Sequence, residues 1–243
     1  MGTHVALDHT TFIGGYDFTG DTNQTELPME FDALDDTRFR HRGRGRIAGL
    51  ESVRTTVNGY WQGGAGMVDP AAFSGLTTLQ PVSQSPDGAE GSVAYFWQAR
   101  QLSYQLFGAV GAINPFSVSA DGARGNGSLS AGSIRGRVLK AKGNVSATGA
   151  TGTAYELGEA ASGQYLYAAL HVFSAGTTIT ALVESDSDNT FASATTRATF
   201  GPLATTGGTW ATRVAGPITD TWYRLRVTAI TGTFSIAGVA GIK

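Results

Sequence analysis

From Gln164 onward, apolar segments return about every ten residues, a spacing that dictates strands. The segments are QYLYAALHVFSA, TTITALVESD, TTRATFGPL, TWATRVAGP, TWYRLRVTAI and GTFSIAGVAGI, with turn-forming residues between them. Segments this short and this even cannot build a helix bundle; they fit a β-sandwich or jelly roll. The composition agrees: 34 Gly in 243 residues and only 15% charged residues suit many tight turns and few long helices. A surface this poor in charge is also well suited to burial against neighbouring subunits.

The first half carries a second set of patterns. Residues 4–18 read as an extended segment with a turn at Gly14-Gly15, residues 19–26 as a polar loop, and 27–31 as a short strand or arm. Ser52 to Trp61 alternates, with Val53, Thr55, Val57, Gly59 and Trp61 on one face, which predicts a half-buried strand. DPAAFSGL is the one helix expected, with Asp69 as N-cap and Pro70 at the first helical position. Residues 81–88 read as a loop, and 92–106, 114–121 and 133–142 as strands. GNVSATGATGTA, 143–154, has one bulky apolar residue, Val145, and is the expected linker. The expected division is therefore a β domain over 1–148 and a β-sandwich domain over 155–243.

Several classes of chemistry are excluded or disfavoured. With no cysteine there are no disulfides, thiolate metal sites or cysteine nucleophiles. A net charge of −2 does not draw the chain as a whole to nucleic acid. The opening residues lack a basic segment followed by an apolar run, and no apolar stretch reaches the roughly 20 residues that span a bilayer. A soluble product made in a cytoplasm, without membrane partner, is the expectation. No G-x-S-x-G or H-E-x-x-H occurs, and His4, His9, His41 and His171 are scattered, so no enzyme and no cofactor are expected.

Charge is sharply segregated. Eight acids and no Lys or Arg precede Arg38; then Arg38, Arg40, Arg42, Arg44 and Arg46 follow at every second position. This series admits three readings: a phosphate grip, a solvated loop, or a subunit-bridging arm whose Arg pair with carboxylates of a neighbour. The upstream acids, Asp32, Asp35 and Asp36 above all, favour the third. GRGRIA, 43–48, has the letters of a dinucleotide loop, but a strand follows where a helix is needed. Glu184 to Asn189 alternates oxygen ligands yet lacks the Gly and Glu that an EF-hand loop requires, so a polar turn is expected there. Trp210, Trp222 and Tyr223 would be the stacking platform if the second half bound carbohydrate.

The chain resembles the major tail tube proteins of long-tailed bacteriophages. The resemblance is carried by HVALDHTTFIGGYDFTG and LPMEFDALDDTRFRHRGRGRIAGLESVRTTVNGYW, with Asp17-Phe18-Thr19, Asp35-Asp36-Thr37 and Ala48-Gly49-Leu50 in order, and by strands of the second half. It implies a tail-tube-like β-sandwich or barrel with one short flanking helix, followed by a C-terminal β-sandwich. It further implies a virion tail subunit closing into hexameric rings that stack into a tube. DNA would pass through the bore without being read, and other tail proteins, such as the terminator and the tail tip, would be partners. Asp32, Asp35, Asp36 and the five Arg would then lie between subunits. A capsid decoration or minor tail protein is the alternative within structural proteins, and a carbohydrate-binding module the alternative outside them.

Overall fold

A computed structural model of the chain describes residues 7–40, 42–123 and 132–243. Strands β1 (Thr10–Ile13) and β2 (Tyr16–Asp17) form a hairpin about Gly14-Gly15. Strands β3 (Thr22–Glu26) and β4 (Met29–Asp35) both pair with the long β5 (Arg46–Tyr60). Helix α1 (Val68–Gly75) follows, then β6 (Leu79–Ser85), β7 (Val93–Leu106), β8 (Pro115–Gly122) and β9 (Ile134–Val145). All these pairings are antiparallel.

The alternation in β5 holds for Val53, Thr55, Val57 and Gly59, which point inward, while Trp61, expected on the same face, lies past the end of the strand and is exposed. Val68 and Ala72 of α1 pack on this face with Val57, Trp97, Ala99 and Val118. The helix does not start as expected. Met67 is the N-cap and makes no side-chain cap. Asp69 stands inside the first turn because its carboxylate is engaged elsewhere, accepting the Tyr104 hydroxyl at 2.7 Å. Pro70 remains acceptable there, since N–H groups of the first turn have no intrahelical partner.

Two segments read as loops are strands. TNQTE forms β3, and residues 79–85 form β6, whose last five residues are buried. The polar residues that disguise β6 find partners inside the fold, apart from Gln84 Oε1, which is buried without one among the described residues. Gln84 Nε2 lies 2.7 Å from Thr25 Oγ1 and 2.8 Å from Thr55 Oγ1, joining three strands. Ser83 Oγ is 2.8 Å from His171 Nε2.

The remaining strands are β10 (Gly149–Glu156), β11 (Tyr165–Ser174), β12 (Thr178–Asp186), β13 (Thr195–Leu203), β14 (Gly207–Trp210), β15 (Val214–Ala215), β16 (Trp222–Thr231) and β17 (Phe234–Ile242). They divide between two sheets. A four-stranded sheet runs β10-β16-β12-β13. The larger sheet runs β14-β11-β17-β9-β7-β6-β1-β2, with β5 and β8 branching from β7. The small sheet stacks on the β9, β17 and β11 part of the large one as a β-sandwich around Leu139, Leu170, Val183, Phe200, Tyr223, Leu225 and Ile236. Residues 143–154, expected as a linker, are instead strand at both ends. β9 pairs with β17 through Val145, and β10 joins the small sheet.

The large sheet also curls back on itself, because β14 comes to rest beside β6. Its concave side holds Ala94, Phe96, Ile134, Val138, Tyr167, Ala169 and Val239. Glycine makes this closure possible: a Cβ on Gly15 would stand 2.4 Å from Gly207 N, and one on Gly208 2.4 Å from Pro81 Cγ.

Candidate assembly site

The charged stretch singled out above forms one projecting hairpin. β4 is exposed at all seven of its positions, and β5 is largely exposed from Arg46 to Ser52 before it enters the core at Val53. Pairing is regular from Met29↔Val53 to Phe31↔Glu51 and again from Ala33↔Ala48 to Asp35↔Arg46. Between these, Gly49 and Leu50 oppose Asp32 alone, which is a β-bulge. A Cβ on Gly49 would come within 2.8 Å of Asp32 Cβ, so glycine suits the bulge.

Backbone chemistry closes the tip. Asp36 N donates to Gly45 O at 3.0 Å, and Gly45 N donates to Thr37 Oγ1 at 3.1 Å. Asp35 accepts the Thr37 N–H at 2.8 Å, and these hydrogen bonds to Thr37 hold its carboxyl below the usual range. Arg40 adopts a left-handed φ of 80°. The structure thus brings all eight expected residues into one hairpin. Asp32 and Asp35 lie on β4 and Arg46 opens β5; Asp36, Arg38, Arg40, Arg42 and Arg44 belong to the connection. Arg38 pairs with Asp36 at 3.2 Å, a solvent-exposed contact of small net value. Arg40, Arg42 and Arg44 are exposed. His41 lies outside the described residues.

Sequence reasoning missed the apolar half of this hairpin. Met29, Phe31, Leu34, Ile47 and Leu50 are all exposed, Phe31 at 60% and Leu50 at 80%. Leu34 and Ile47 face each other across the strands. The signal is present in MEFDALD and RIAGL, where apolar residues interleave with charges and so show no continuous apolar run. The base of the hairpin is anchored. Glu51 receives the Ser133 N–H at 2.9 Å and an ion pair from Lys243, whose Nζ also reaches Ser133 O at 3.0 Å. Arg54 pairs with Asp121 on β8.

The other candidates resolve into structural roles. Glu184 is buried and receives Arg224 at 2.9 Å and Arg226 at 3.3 Å, while Asp186 accepts Ser193 N–H at 2.8 Å. Asp188 accepts Thr190 N–H at 2.7 Å, so the acids of this stretch serve protein donors. Among the described residues no group of three or more His, Asp or Glu is arranged to hold a metal ion. Residues 43–48 lead into β5 and no helix N-terminus follows. Trp210 packs against Phe96 and Tyr167, Tyr223 is fully buried, and Trp222 precedes it on β16, so the three share no platform. His171 is fully buried; its Nδ1 donates to Gly14 O at 2.7 Å and its Nε2 accepts from Ser83. Burial pushes its pKa down to about 4 against smaller opposing effects of Gly14 and Asp17. This Ser–His pair is sealed from solvent and belongs to the fold.

Among the described residues no helix is long and apolar enough to cross a membrane. No protein family matches the chain, and no curated protein matches it at a significant level. Ten chains of solved structures align with it, among them the following three. The virion of a native gene transfer agent particle gives 14% identity over 51% of this chain and 96% of that one, with a TM-score of 0.39. The tail of an empty gene transfer agent particle, solved with C6 symmetry, gives 15% identity over 51% and 96%, also at 0.39. The Dit protein (gp 19.1) of SPP1, from the hub adsorption apparatus of phages infecting Gram-positive hosts, gives 10% identity over 97% and 99%, at 0.37. At these identities and TM-scores the alignments carry no function.

Proposed function

We propose that this chain is a virion structural protein, the tail tube subunit of a long-tailed phage, which self-assembles through its charged hairpin. One observation carries the reading. A two-stranded hairpin is at best marginally stable by itself in water, yet the outer part of this one extends past the core with six large apolar side chains exposed, Phe39 of the connection among them. Burying each of those side chains recovers up to about 1.5–3 kcal/mol, less what it already buries. The sum is several kcal/mol per contact, enough to offset much of the cost of association. A neighbouring copy is a partner that every assembling chain has available. The segregated acids and Arg of the tip then fix the orientation of the contact.

In this reading subunits close into hexameric rings, rings stack, and DNA passes through the bore without sequence-specific contacts. The terminator and tail tip meet the ends of the stack. Asp32, Asp35, Asp36, Arg38, Arg40, Arg42, Arg44 and Arg46 lie between rings. The test is replacement of Arg40, Arg42 and Arg44 by Glu. The monomer should keep its unfolding midpoint, because these side chains are exposed, while sedimentation velocity should show the loss of large assemblies. Normal assembly by the triple variant would refute the role given to the hairpin.

A further inference from the structure

The two ends of β5 are both apolar at the surface and differ in charge. At the Arg46 end stands the hairpin with its five Arg. At the Tyr60 end the chain lies beside the β7–β8 connection: Tyr60 opposes Pro115, and Trp61 N donates to Asn114 O at 2.8 Å. On that connection Phe107, Val110 and Ile113 are exposed at 77%, 108% and 70%. Two carboxylates stand at the same end. Asp21 accepts Tyr16 Oη at 2.6 Å and Gln62 Nε2 at 2.8 Å, and its carbonyl accepts Tyr60 N–H. Asp69 accepts Tyr104 Oη. These donors are neutral, so they fix the carboxylates in place without cancelling their charge. The sequence has no Lys or Arg from 55 to 99 or from 101 to 123. Arg100 lies level with Arg54, both opposite Asp121, roughly 20 Å along the strand from Tyr60.

We infer that the Tyr60 end of one copy receives the hairpin of another. Phe107, Val110 and Ile113 close over the hairpin's apolar residues, and Asp21 and Asp69 face its Arg side chains. The inference rests on the self-assembly reading and names the receiving surface. The partner must be a second copy, because the 15 residues of β5 hold the two ends of one chain roughly 50 Å apart. Surfaces at opposite ends of one strand make a head-to-tail contact that leaves both outer ends free, so the contact propagates as an open stack.

The absence of cysteine makes a direct test clean. Phe39→Cys and Val110→Cys are prepared as separate variants, mixed, and treated with a short bifunctional maleimide. The expected product is a dimer linked between positions 39 and 110, identified by peptide mass spectrometry. In parallel, Val110→Asp/Ile113→Asp should weaken self-association at least about tenfold. Mixed with the Arg40/Arg42/Arg44→Glu variant it should give a discrete 1:1 complex, since one intact hairpin and one intact receiving end remain. Wild-type stacks without the 39–110 link, or normal stacking by the Asp variant, would overturn the receiving surface and leave the assembly reading standing. Wild-type protein that never associates would overturn both.

Discussion

Lowering the pH from 7 to 5 should destabilise the folded chain, with His171 as the largest contributor. Its imidazole is fully buried, with Nδ1 committed to Gly14 O and Nε2 to Ser83, and its folded pKa is about 4 against an unfolded value of 6.5. Between these values the unfolded chain binds a proton that the folded chain does not. The contribution of His171 is therefore fully present above pH 6.5 and is lost as pH falls towards 4, by about 1.4 kcal/mol per unit. From pH 7 to pH 5 the loss is about 2 kcal/mol. Urea unfolding at both pH values would measure it, in the Arg40/Arg42/Arg44→Glu background so that association adds nothing to stability. His171→Gln serves as the control: an amide can serve Gly14 O and Ser83 but does not titrate. It should be less stable at pH 7, and its pH dependence should be shallower by about 2 kcal/mol over this window. His9, whose pKa is also lowered by burial, contributes equally to both proteins and cancels in the comparison. Parallel pH profiles for the two proteins would refute the argument that His171 is held neutral by burial.

Other consequences can be checked by denaturation. Gln84→Leu should cost about 1–3 kcal/mol, because the hydroxyls of Thr25 and Thr55 lose their shared buried partner. Glu184→Ala should cost roughly 3 kcal/mol in urea, since Arg224 and Arg226 converge on a carboxylate that is almost fully buried. Gly59→Ala should lower the melting temperature clearly, because its Cβ would stand 1.9 Å from Asp21 O and force the start of β3 away from β5. Phe31→Ser together with Ile47→Ser should leave monomer stability nearly unchanged, as both side chains are exposed, yet reduce assembly in light scattering.

Period-two patterns were legible wherever one face of a strand is apolar, as in β5, where Val53, Thr55, Val57 and Gly59 all turn inward. β6 was not, because Ser83, Gln84 and Ser85 are buried polar residues whose partners lie as far away as Thr25 and His171, and local sequence does not report distant hydrogen bonds. The segment 143–154 misled for a related reason. Small residues let β9 and β10 pass close together: a Cβ on Gly152 would touch Leu139 O at 2.1 Å, so the composition of a linker here marks tight packing. Asp69 stands two positions inside the helix it was expected to cap, because its carboxylate serves Tyr104 and not the helix. The candidate site was legible as a charge pattern, and its hairpin geometry followed from the strands on either side. Its apolar residues became meaningful only when the fold left them uncovered.

Negative-stain electron microscopy of the purified protein, across concentration and salt, tests the central claim most directly. Stacked rings or hollow tubes that grow with concentration and shorten as salt screens the Arg contacts are the predicted result. A uniform monomer, or a small closed oligomer that never polymerises, would contradict it.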